Sequence, residues 1–191
     1  MKFSILATLA PLVATATCAV IPRQAQDGNG LATFSLGAPP SKPALGSVSW
    51  LGQGNQAIGG PLGWWTSTHT DFKAFIQYNA AEGIAFDSTK TSRTIYLKPE
   101  GTDGLSEVVL GAPRLEGNPS AMRETNFTID ATMINPGEPR YWFGYLHDSA
   151  AAWTACPNDD GWKLYFGQAT GDRKAECTES FSLEVLYTIP A

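Results

Sequence analysis

Phe181-Ser182-Leu183-Glu184-Val185-Leu186-Tyr187-Thr188-Ile189 divides into two sides, with Phe181, Leu183, Val185 and Tyr187 on one and Ser182, Glu184 and Thr188 on the other. A period of two belongs to a β-strand with one face packed and one wet. Asn126 to Met133 repeats the pattern, setting Phe127, Ile129 and Ala131 against Thr128, Asp130 and Thr132, so both strands are expected to line the same kind of core. Outward from these two, the apolar residues fall in short runs separated by Gly, Pro, Asn and Asp. The runs predict further strands at Leu31–Leu36, Ser47–Leu51, Gly63–Thr66, Phe72–Tyr78, Ile84–Phe86, Thr94–Lys98, Ser106–Leu110, Arg140–Leu146 and Trp162–Phe166. Helical stripes at i, i+3, i+4 are scarce. Lys98-Pro99-Glu100-Gly101, Asp103-Gly104, Asn135-Pro136-Gly137 and Asp160-Gly161 supply the fixed or positive φ of tight reversals. The expected fold is all-β: a single antiparallel β-sandwich or a closed barrel. No repeat stands out at about forty to fifty residues, which weakens the alternative of a degenerate β-trefoil.

The N-terminus reads as a secretory signal, Met1 to Ala19: Lys2, an apolar run from Phe3 to Val13, then small residues. That run is shorter than the ~20 residues of a membrane-spanning helix, and no later stretch approaches it, so no membrane partner is expected. Residues 20–30 form a polar lead-in, a flexible arm or a short pro-segment trimmed at Arg23, and one β-rich domain is expected over 31–191. Cleavage after Ala19 removes Lys2 and no acid, leaving 12 basic and 18 acidic residues and a net charge of −6. The basic residues are scattered, with Arg173-Lys174 the sole adjacent pair, so counterion-releasing contacts to nucleic acid are excluded.

Of three cysteines, Cys18 lies in the signal, leaving Cys156 and Cys177 to meet an oxidising compartment. One disulfide is expected, closing a loop around Trp162–Phe166 and tying that strand to its flanking turns. A redox pair or metal thiolates have less support, since the two are 21 residues apart with no nearby histidine. No metal or cofactor is called for. The Asn158-Asp159-Asp160-Gly161 segment is oxygen-rich but lacks the spaced acids of a calcium loop and reads as a solvated turn. His69 near Asp71 and His147 beside Asp148 are the two histidines, both in turn-like segments. No Gly-x-Ser-x-Gly elbow is present. Glu124, Asp130, Glu138 and Glu184 keep a two-carboxylate hydrolase open without favouring it.

The aromatic residues are more telling. Neighbours on a strand face opposite ways, so one of Trp64-Trp65 and one of Tyr141-Trp142 is expected to leave the core. An exposed flat ring there can stack on a sugar, while packing beneath the Gly-rich stretch Gly52–Gly63, which reads as a long surface loop, is the plainer alternative. Asn126-Phe127-Thr128 is a glycosylation sequon, placing Asn126 at the surface of a secreted chain.

The C-terminal pattern Trp153-x-Ala155-Cys156-Pro157, then Trp162-x-Leu164-Tyr165-Phe166-Gly167, Cys177 and the alternating last strand resembles the phialide-type cell-wall proteins of filamentous fungi and related small secreted antigens. The resemblance spans Tyr141 to Tyr187. It implies an extracellular β-rich protein of the cell wall with no catalytic apparatus or cofactor. The expected function is therefore that of a non-catalytic structural or interaction protein at a wall or host surface, with a carbohydrate-binding module and a small hydrolase as alternatives.

Overall fold

A computed structural model describes residues 32–39, 45, 50–54, 60–66, 70–79, 82–89, 93–101, 104–111, 123–146 and 152–187. The signal, the lead-in and both histidines lie outside these residues. In chain order the strands are β1 (Phe34–Gly37), β2 (Gly52–Gln53), β3 (Gly60–Trp65), β4 (Thr70–Asp71), β5 (Ala74–Asn79), β6 (Glu82–Asp87) and β7 (Thr94–Glu100). They continue as β8 (Leu105–Gly111), β9 (Phe127–Asn135), β10 (Glu138–Tyr145), β11 (Trp153–Asn158), β12 (Gly161–Phe166) and β13 (Leu183–Tyr187), with one short helix α1 (Arg173–Glu176) before the last strand.

The strands pair antiparallel in one sheet, ordered β4-β2-β3-β12-β8-β7-β6-β5-β1-β13-β10-β9 with β11 on β12. The sheet does not close, so of the two architectures left open by the alternation it is the sandwich and not the barrel. The alternating strands follow their pattern at Leu183 and Val185 of β13, Phe127 of β9 and Phe143 of β10, all buried, but in β9 Thr128 on the expected wet side is buried as well and Ala131 on the expected packed side is exposed. From Ala131 onward the β9–β10 hairpin is exposed through its tip at Pro136-Gly137.

The core has an aromatic seam where β10 meets the β11–β12 hairpin. Phe143 stacks on Trp153 with ring centroids 5.6 Å apart, and Tyr145 meets Phe166 edge-on at 5.2 Å. Trp153 is completely buried, and its indole N–H donates to the Phe143 carbonyl at 2.8 Å, so the largest side chain of the core carries no unsatisfied donor. Away from this seam, Asp87 at the end of β6 accepts from the backbone N–H and the hydroxyl of Thr89 and pairs with Arg93, which also reaches Gln53 of β2. This partly buried network ties the β6–β7 connection to β2, near one end of the strand order.

Three sequence expectations change. Gly52–Gly63 is not a continuous loop: its two ends are β2 and the start of β3, with Gly52 paired to Gly63. Glycine serves there for close approach, since a Cβ on Gly63 would sit 2.1 Å from the Trp162 carbonyl oxygen. Lys98 to Glu100 continue strand β7 instead of turning, with Pro99 opposite Ser106, and the reversal follows at Gly101 and Gly104, both at positive φ. Trp153–Asn158, unassigned from sequence, is a strand. Cys156 therefore sits within β11 and not in a turn, and its disulfide to Cys177 joins that strand to the chain just beyond α1.

Candidate ligand-binding cleft

The Trp64-Trp65 pair is divided between the two faces of β3. Trp64, opposite Trp162 of β12, turns inward and packs edge-on against Phe181 at 6.0 Å. Trp65, opposite Gly161, turns outward and stays partly exposed. Its indole N–H donates to the Gly52 carbonyl at 3.0 Å, and its ring lies over Gly54 so closely that a Cβ there would be 3.2 Å from Cε2. Strand β2 and the glycine just after it thus hold the ring in one orientation.

Around Trp65 lies a cleft of about 250 Å³ lined by Gly54, Gly60, Pro61, Asn158, Asp160 and Lys163. The polar members come from the β11–β12 hairpin. Gly161 closes this hairpin at φ 138°, where a side chain would strike the Trp64 carbonyl. The turn is fastened to the end of β3: the Thr66 backbone N–H donates to the Asp160 carbonyl at 2.9 Å, and the Thr66 hydroxyl donates to the Asp160 carboxylate at 2.9 Å. Lys163 pairs with Glu107 at 3.3 Å on the same outward face. A fixed indole bordered by an amide, a carboxylate and an ammonium is the composition that grips a polyhydroxylated ligand, apolar on one side and hydrogen-bonding at its rim.

Beyond Lys163, Tyr165 forms a polar cluster beside the disulfide. Its ring underlies the Arg173 guanidinium at 5.4 Å, and Arg173 bonds Glu100 at 2.9 Å. Burial, with Glu100 and Glu107 nearby, pushes the Tyr165 phenol up to about 12, against a smaller lowering by Arg173.

The other aromatic candidates lie elsewhere. Tyr141 points to the core side, edge-on to Tyr187 at 5.0 Å, with its hydroxyl buried and without a hydrogen-bond partner among the described residues. Trp142 points outward from β10, opposite Asp130 of β9 and Glu184 of β13. Since the inward side of β10 packs on β11 and β12, Trp142 and Trp65 occupy different faces of the molecule. Of the four carboxylates considered for hydrolysis, Asp130 and Glu184 share the Trp142 face, whereas Glu138 lies at the hairpin tip accepting from Asn135 at 2.8 Å. Glu124 precedes β9. Asn126 of the sequon is half-buried at φ 70°, its carbonyl accepting from Leu146 N–H.

Sequence reasoning missed the polar half of the cleft. Asn158 and Asp160 read as a solvated turn, which the structure bears out at 159–160, and Lys163 carries no motif, so nothing local gathers the three beside Trp65. The available signal was the Asp-Gly reversal between two aromatic runs, which places a hairpin tip beside whichever strand pairs with β12. No protein-family model matches the chain. Nor does any curated protein or solved structure.

Proposed function

We propose that this chain is a secreted, non-catalytic β-sandwich that works by contact with cell-wall polysaccharide, and that the Trp65 cleft makes the contact. The observation carrying the proposal is the outward Trp65, held by Gly52 and Gly54 and flanked by Asn158, Asp160 and Lys163. Prior fixation of the ring lowers the entropy lost on binding, so stacking adds to affinity with little ordering cost. The signal-like N-terminus, the disulfide and the likeness of the C-terminal pattern to fungal wall proteins support an extracellular setting.

Sedimentation with insoluble chitin, β-glucan and cellulose tests the reading. The intact protein is expected in the pellet with at least one of them, and Trp65→Ala is expected to weaken retention about tenfold, as loss of a stacked ring and its buried area does. Lys163→Met preserves the stem and the sheet while removing the ammonium, and should weaken retention without changing the circular dichroism spectrum. Failure of the intact protein to sediment with any of the three rejects the proposal.

A further inference from the structure

The outward face of β9, β10 and β13 carries an arrangement separate from the Trp65 cleft. Trp142 is the direct cross-strand partner of both Asp130 and Glu184. Direct partners share a face, so an indole lies between two carboxylates across three adjacent strands, a span of roughly 10 Å at the backbone. Gly144, two residues along the same face, leaves the flank of the indole without a side chain. Its partner is Thr128.

Two oxygens on this face have no counterpart. Asp130 Oδ2 and Thr128 Oγ1 are buried and lack hydrogen-bond partners among the described residues, and only 6% of Thr128 is exposed. Buried acceptors are normally satisfied, and an ionised carboxylate leaves the largest deficit. Arg140 stands on the same side, but its Nε is 3.9 Å from Glu184 and half its side chain is exposed, so it is a weak partner for Glu184.

We infer that this face is a second binding site, selective for the protonated amine of an amino-sugar unit. An ammonium over the indole gains from the ring quadrupole and donates charge-assisted hydrogen bonds to a flanking carboxylate. The pyranose ring supplies the flat apolar surface that stacks on Trp142. A neutral sugar would satisfy the stacking and leave the charge of Asp130 uncompensated. The site is independent of the Trp65 proposal, and either can fail alone.

Titration calorimetry of the secreted, disulfide-bonded protein carrying Trp65→Ala, which removes the other proposed sugar contact, separates the outcomes at pH 6, with tetramers of glucosamine, N-acetylglucosamine and β-linked glucose and a tetra-lysine peptide as probes. The glucosamine tetramer is expected to bind at least about tenfold more tightly than either neutral tetramer. Asp130→Asn, which keeps the shape of the side chain, and Trp142→Ala are each expected to weaken it about tenfold, with Trp142→Phe intermediate. Trp142→Phe also guards against misfolding of the alanine variant. Equal affinity for the acetylated tetramer, equal affinity for tetra-lysine, or an unaltered Asp130→Asn protein would overturn the inference.

Discussion

Raising the pH should loosen the fold through one phenol. Tyr165 is 3% exposed, donates to the Glu100 carboxylate, has Glu107 close by, and lies beneath Arg173. Removing its proton would put an anion in a desolvated position beside two carboxylates, and its pKa rises to about 12 for that reason, burial being the largest cause. In the unfolded chain the phenol titrates near 10. The neutral form thus contributes stability that is fully present below pH 10 and is lost as pH climbs from there through 12. A shift of this size corresponds to under ~3 kcal/mol, and discounting for solvent screening around Glu100 and Arg173 leaves about 1–2 kcal/mol. Urea unfolding at pH 8, 10 and 11.5 should show the wild type losing about 1–2 kcal/mol more than Tyr165→Phe, since other titrating groups cancel in the comparison. Phenolate absorbance, read as the difference between the two proteins, assigns the titration to Tyr165. A Tyr165 phenolate appearing near pH 10, or parallel stability curves for both proteins, would refute the reasoning.

Two further substitutions probe the frame. Replacing Cys156 and Cys177 together by alanine removes a cross-link over a separation of 21 residues. It should cost about 3 kcal/mol in guanidinium unfolding on the chain-entropy account, and the backbone bond from Thr178 N–H to the Ala155 carbonyl should keep the far-UV spectrum unchanged. Asp87→Ala strands the largely buried Arg93 without its carboxylate, a loss of roughly 3–5 kcal/mol measurable as a lowered melting temperature.

Legibility in the sequence followed the strength of local periodicity. β9 and β13 could be read because an inward apolar set and an outward polar set alternate without interruption, and burial of Phe127, Leu183 and Val185 follows from that alone. β11 was illegible because Pro157 argues against a strand. Proline is tolerated where the N–H need not serve a ladder, and apart from a bridge at Trp153 to Phe181 β11 pairs with β12, leaving the other edge of Pro157 without a strand partner among the described residues. Gly52–Gly63 misled for the opposite reason: glycine signals flexibility in a sequence, yet here it permits close strand approach and seats an indole.

By itself, the sequence determined the all-β class, the inward sense of the large apolar residues of the alternating strands, and the pairing of the two cysteines left outside the signal-like segment. These follow from local backbone geometry and from counting. Tertiary structure alone decided that Trp65, rather than Trp64, faces outward, that Asn158, Asp160 and Lys163 gather beside it, and that Trp142 stands between Asp130 and Glu184 on another face. Strand order and register set those neighbours, and both depend on contacts between residues nearly a hundred positions apart, such as Thr66 with Asp160, which no local pattern encodes.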